Sequence, residues 1–290
     1  MRRFAFVTVD VFTDRRFGGN PLAVFPDAKG MSDSDMQALA AEFNLSETTF
    51  VLPPADPANT ARVRIFNRKA EMPFAGHPNV GTGWVLAQLG RAQGGAMRFE
   101  EIAGLVEVQA DAGQVTIAAP QPLSLGTEMP VDLLAGCIGV ATADVITTNH
   151  RPVSASLGNS FVVAEVTGEA LTRAVPDIAR FREAVATYTA MGANRLPLYL
   201  YAHDGNRIRT RMFSPLSGTV EDAATGSAAT PLAALLLSLG KDTEGRYEIV
   251  QGVEMGRPSR LLCTARRGVD GICATVGGGC VPVLKGEISL

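Results

Sequence analysis

Cysteine is scarce in this chain: four residues in 290, at Cys137, Cys263, Cys273 and Cys280, with no C-x-x-C pair among them. That spacing excludes a zinc ribbon and a thioredoxin-type redox motif and predicts reduced, mostly buried thiols. Histidine is scarcer still, and His77, His150 and His203 show no metal-ligand spacing, so no metal is expected. An excess of either charge is missing: 26 basic against 29 acidic residues give a net charge of −3, which offers no electrostatic footprint for nucleic acid or an anionic membrane. Long apolar runs are absent too. The longest, Pro231 to Leu239, is about half of the ~18 residues that a membrane span needs. After Met1, Arg2 and Arg3 the apolar stretch from Phe4 is broken at Asp10, too early for a signal-peptide core, so the expected location is cytoplasmic.

What is present is a large apolar fraction, 46% against 19% charged residues, enough to bury a sizeable interior and to exclude a disordered chain. Two hundred and ninety residues exceed the size at which one core keeps growing, which predicts two domains.

The chain reads twice. Gly19-Asn20-Pro21-Leu22-Ala23-Val24-Phe25 is echoed by Gly158-Asn159-Ser160-Phe161-Val162-Val163-Ala164, each a Gly-Asn turn leading into a strand. Arg62-Val63-Arg64-Ile65-Phe66-Asn67 is echoed by Arg209-Thr210-Arg211-Met212-Phe213-Ser214, an alternating strand with arginine on one face. Ala75-Gly76-His77-Pro78 is echoed by Thr225-Gly226-Ser227-Ala228, and an apolar helix follows each, ending in Leu89-Gly90 and Leu239-Gly240, where glycine is the expected C-cap. β-rich segments from Phe99 to Ala119 and from Tyr247 to Val276 close the two copies. The seam is expected between Pro120 and Pro130, a stretch with little periodicity. The predicted architecture is α+β, with an N-terminal half over 1–122, a C-terminal half over 123–277, and a tail over 278–290 that packs back on the first half. Two such copies would set equivalent loops across a cleft, where small ligands usually bind.

Gly76 and His77 stand at one helix N-terminus and Gly226 and Ser227 at the other. Pro78 suits a first turn, where its missing N–H costs nothing. Two readings of these loops stand: they cap helices, or their N–H groups bind a carboxylate or phosphate. Ser32 to Phe43 has the spacing of an amphipathic helix, with Ser32 and Asp35 as a capping box. After it, Glu47 opens a β-leaning run, where burial could raise a carboxyl toward neutrality and let it both take and give a proton; a solvated or structurally paired Glu is the alternative. Of the two acids ahead of the second loop, Asp222 is placed to orient a polar group, while Glu221 reads as facing water.

Together, GNPLAVF, NLSETTFV, RIFNRKAEMPFAGHPNVGT, VEDAATGSAATPLA and QGVEMGRPS resemble the PhzF family of phenazine-biosynthesis isomerases, from Phe6 to about Gly278. The resemblance implies the diaminopimelate epimerase fold: two pseudo-symmetric halves, each a curved mixed sheet around a central helix. It implies a cofactor-free isomerisation of trans-2,3-dihydro-3-hydroxyanthranilate or a related cyclic amino or hydroxy acid, and a homodimer. By position it makes Glu47 the proton shuttle, with His77 and Asp222 as further catalytic residues. It assigns Gly226 and Ser227 to the substrate carboxylate and sets Asn20 near the site, and the reading of the first loop adds Gly76 to the residues expected to bind that carboxylate. Racemases of this fold look like C-G-N-G and C-G-T-G at the two loops; Ala75 and Thr225 stand there instead, so a two-thiol mechanism is not expected. The rival expectations are an amino-acid epimerase using other bases and a non-catalytic binder of small molecules.

Overall fold

The helix Gly76–Gln88 has poor intrinsic propensity, with Gly81 and Gly83 in its interior costing about 1 kcal/mol each relative to alanine. Packing explains it. A Cβ on Gly81 would stand 2.6 Å from the Leu22 side chain, and one on Gly83 would stand 2.7 Å from Val108. The helix is buried along nearly its whole length, so the absence of side chains lets strands close around it.

In the computed structural model, residues 2–192 and 194–290 are described. They divide into a first unit, Met1–Ala118 with Val276–Leu290, and a second, Ala119–Thr275. The first unit contains β1 (Arg3–Val11), β2 (Asn20–Phe25), α1 (Asp33–Phe43), β3 (Glu47–Leu52), β4 (Ala61–Phe66), β5 (Glu71–Met72), α2 (Gly76–Gln88), β6 (Ala96–Glu101), β7 (Gly104–Asp111) and β8 (Gln114–Ala118). The second contains β9 (Ser124–Glu128), α3 (Val131–Ile138), β10 (Val145–Ile146), β11 (Val153–Ser156), β12 (Ser160–Val166), α4 (Gly168–Arg173), α5 (Ile178–Thr187), β13 (Leu198–Asp204), β14 (Arg207–Ser214), β15 (Thr219–Asp222), α6 (Gly226–Leu239), β16 (Glu244–Gln251) and β17 (Ser259–Gly268). Strand β18 (Gly271–Ser289) runs from the second unit back into the first.

In the first unit β1–β2 is antiparallel, β2–β3 parallel, β3–β4 antiparallel, β4–β6 parallel and β6–β7 antiparallel. Strand β7 pairs with β8, β8 with β18, and β18 with β1 from Arg3 opposite Ser289 to Val11 opposite Cys280, which closes a mixed barrel around α2. In the second unit β11–β12, β12–β13, β13–β14, β14–β16 and β16–β17 follow the same order: antiparallel, parallel, antiparallel, parallel, antiparallel. Helix α6 packs on β11, β12, β16 and β17.

The outer faces bury separate cores. Helix α1, held by the Ser32–Asp35 capping box, covers Phe25, Phe50 and Phe66, with Phe25 and Phe50 stacked at 4.9 Å between ring centroids. Helices α3 and α5 cover Val162, Ala164, Leu198, Leu200 and Phe213.

One local reading needs correction. The stretch 120–130 contains β9, paired with β11; all five of its residues are exposed, so the strand has no buried face and leaves no alternation to read. Gly90 follows α2 with φ +72°, and Gly240 is the C-cap of α6, its N–H bonded to the Leu237 carbonyl, in an extended conformation at φ −99° and ψ −173°. Three cysteines are buried as expected, whereas Cys273 is exposed.

Candidate active site

In the first unit, a turn, a strand and a helix each deliver one polar side chain to one place. Gly19 makes the turn possible: its φ is +63°, and a Cβ there would lie 2.3 Å from the Val11 carbonyl. Asn20 follows as the first residue of β2, and Glu47 is the first residue of β3, in register with Leu22 on the parallel ladder. Gly76 and His77 are the first two residues of α2.

These residues meet. Ser46 Oγ donates to Asn20 Oδ1 at 3.3 Å, which fixes the amide so that Asn20 Nδ2 faces His77 Nδ1 at 3.4 Å. The Pro21 backbone adds a further hydrogen bond to the His77 ring. His77 Nε2 lies 3.5 Å from Glu47 Oε2. Burial pushes the His77 imidazole down to about 3, so it is neutral at ordinary pH, and Nε2, buried without a hydrogen-bond partner, stands beside Glu47 without forming an ion pair. His77 is 5% exposed and Glu47 16%. The carboxylate is therefore the member of the group that a ligand can reach.

In the second unit, Asp222 ends β15 and Thr225 precedes α6. Asp222 Oδ2 accepts from Thr225 Oγ1 at 2.6 Å. Gln251, fully buried at the end of β16, ties the loop together. Its Nε2 donates to the Asp222 carbonyl at 2.9 Å and to Thr225 Oγ1 at 3.0 Å, and its Oε1 accepts from Thr225 N and from Tyr199 Oη. Gly226 and half-buried Ser227 occupy the first two positions of α6, where N–H groups have no partner inside the helix.

Asn20, Gly76, His77 and Glu47 thus gather in the first unit, and Asp222, Gly226 and Ser227 in the second. Glu221 does not face water: it grips Arg211 with two bonds of 2.8 and 2.9 Å. The reason is that Arg211 is buried, its Nη1 bonded to the carbonyls of Leu171, Thr172 and Ala174, and a guanidinium inside needs a counter-charge. Gln251 was overlooked in sequence, although a glutamine closing an apolar strand before Gly252 was the available signal. No group of three or more His, Cys, Asp or Glu among the described residues could hold a metal ion, and no helix among them is long and apolar enough to cross a membrane.

A mixed barrel wrapped on a helix is a fold shared with solved PhzF-family and hydroxyproline epimerase structures. A solved PhzF-family phenazine biosynthesis protein of Bacillus anthracis superposes with a TM-score of 0.89 at 23% identity over all of both chains. A hydroxyproline epimerase of Agrobacterium vitis superposes at 0.64 with 13% identity, over 100% of this chain and 93% of the other; at these identities the likeness is one of fold.

The family model of phenazine biosynthesis-like proteins (PhzC-PhzF) matches residues 9–286, and the chain belongs to that family. The trans-2,3-dihydro-3-hydroxyanthranilate isomerase of Pseudomonas chlororaphis is 36% identical over 98% of this chain and 99% of that protein. An uncharacterized isomerase of Mesorhizobium japonicum is 37% identical over 98% of both. The chain is accordingly an isomerase.

Proposed function

We propose that this isomerase moves a proton within a small cyclic carboxylate that carries an amino or hydroxyl group, trans-2,3-dihydro-3-hydroxyanthranilate or a close relative, without a cofactor. The observation that carries the reading is the chain Ser46, Asn20, His77 and Glu47, which ends on a carboxylate in reach of solvent and of ligand. Glu47 takes the proton from one carbon and returns it to another. Neutral His77 stands beside the carboxylate and keeps no charge of its own, so the proton passes to Glu47 and back without a competing acid.

Asp222 is assigned to a donor on the substrate and Gly226 and Ser227 to its carboxylate. An anion beside Asp222 is favourable only if a donor, an ammonium or hydroxyl, separates the two charges, which is why the substrate class carries one. The shared pairing order of the two units supports reading them as duplicates that have divided these tasks.

The test is turnover in D₂O with trans-2,3-dihydro-3-hydroxyanthranilate and a panel of cyclic amino and hydroxy acids. The expected result is deuterium on a single product carbon without added cofactor. Binding with no label in any compound would overturn the reading, and label with inverted configuration but no shifted double bond would assign an epimerase instead.

A further inference from the structure

The arginine strands β4 and β14 give a common register for the two units. Arg62 corresponds to Arg209, and on the adjacent parallel strands Arg62 pairs with Glu100 and Arg209 with Val250. One residue further along stand Glu101 in the first unit and Gln251 in the second. The same register matches Ile65 opposite Met72 with Met212 opposite Asp222, and so matches the loop before α2 with the loop before α6.

Gln251 ties the loop before α6 through its amide, as described above. We infer that Glu101 is the corresponding positioning residue, holding the loop before α2, and with it Gly76 and His77, through a carboxylic acid that carries its proton. The inference rests on the assignment of that loop to the active site.

The Asn79 side chain lies beside the Glu101 carboxyl. Both Glu101 carboxyl oxygens are buried with no hydrogen-bond partner, and so is Asn79 Oδ1, while Asn79 Nδ2 donates to the Ala75 carbonyl at 3.1 Å. Buried carboxyl and amide oxygens that lack a donor are satisfied when the carboxyl carries a proton, and a protonated Glu101 can donate to the neighbouring Asn79 Oδ1. Asn79 in turn holds the carbonyl of the residue that precedes α2. The turn after Glu101 makes a second tie to the same loop, Ala103 N to the Pro73 carbonyl at 3.0 Å.

Burial pushes the Glu101 carboxyl from its ordinary 4.5 up to about 8, against a smaller opposing effect of Asn79. The charged groups around it are engaged elsewhere or neutral. On β4, Arg64 is clamped by Glu71 of β5 and by Asp33, and Arg62 is exposed. On β6, Glu100 is held by Ala55 N, Asp56 N and Asn59. On α2, His77 is neutral, and the β7 residue paired with Glu101 is Gly104.

A group whose folded value lies above its unfolded one contributes stability that is complete below the unfolded value and is lost as pH rises through the folded value. The experiment compares the wild-type chain with Glu101→Gln and Glu101→Ala, reading Tm and, with trans-2,3-dihydro-3-hydroxyanthranilate, kcat and KM from pH 5 to 9. Glutamine copies the second unit and does not ionise. The Tm of Glu101→Gln should therefore rise relative to wild type between pH 5 and 8. Its kcat should match wild type near neutrality and lack the fall that wild type shows above pH 8. Glu101→Ala should lose kcat on the order of 10- to 100-fold at every pH, the scale of a ~1 Å displacement. Parallel Tm curves for wild type and Glu101→Gln, or an alanine variant with wild-type kcat and pH profile, would overturn the inference. The Tm comparison needs no substrate, so it fails separately from the assignment of Glu47.

Discussion

The loop before α2 and the loop before α6 are built on matching strands, yet they carry opposite chemistry. With Thr48 paired to Phe66 and Leu198 to Phe213, Glu47 in the first unit corresponds to Pro197 in the second. Asp222 corresponds to Met72, Ser227 to His77 and Thr225 to Ala75. The first loop therefore has a carboxylate and a neutral imidazole but no acid at the end of β5. The second has an acid at the end of β15, a hydroxyl on α6 and proline in place of Glu47. One frame supplies position, and the residue at each position supplies the task.

The largest way to break this comparison is to remove the base. Glu47→Gln keeps volume and hydrogen bonding but cannot carry the proton, and steady-state assays should find kcat lower by about 10²–10⁴-fold with Tm unchanged. Retained turnover would return the catalytic role to another group.

Next come the matched arginines. Each guanidinium lies over a phenylalanine two residues on, Arg64 at 5.0 Å over Phe66 and Arg211 at 4.7 Å over Phe213, and each takes a glutamate of the following strand. Arg64 also reaches exposed Asp33 at the start of α1, whereas Arg211 caps the end of α4 from inside. Arg211→Met should cost about 3–5 kcal/mol by denaturant titration. Arg64→Met should cost less, about 1–3 kcal/mol. Equal losses would mean that burial does not separate the pair.

The local devices of both units are legible in the sequence: the capping box at Ser32, the Gly-Asn turns, the arginine strands and the glycine-led helices are all written within a few residues of one another. Long-range partnerships are not. Glu221 looked solvated because Arg211, ten positions earlier, reads as an ordinary polar face until α4 covers it. Gln251 and Glu101 acquire meaning only from parallel ladders whose partners lie about forty positions away. Strand β9 has backbone pairing without a buried face, so its side chains carry no pattern. The neutrality of His77 is not legible in the sequence either, since its burial depends on the whole barrel.

A smaller effect sharpens the contrast of the central helices. Position 83 of α2 is glycine, while α6 has Ala233 at the corresponding place. Gly83→Ala forces a Cβ against Val108 and should lower stability by about 1–3 kcal/mol in thermal melts. A neutral result would mean that the barrel yields there. The smallest effect is expected from thiol reagents. Burial pushes the Cys137 and Cys280 thiols up to about 12 and raises Cys263 as well, and Cys273 is the exposed one. A maleimide should add one label by mass and leave kcat unchanged; loss of turnover protected by substrate would place a thiol in the chemistry.

The division of labour is tested most directly by substrate binding to two inactive chains. Calorimetric titration of trans-2,3-dihydro-3-hydroxyanthranilate into Glu47→Gln should give a Kd within a few-fold of the wild-type KM, whereas Asp222→Ala combined with Ser227→Ala should weaken binding by about 10²-fold or more, the loss of two hydrogen bonds to charged groups. Binding lost in Glu47→Gln and kept in the double variant would contradict the account.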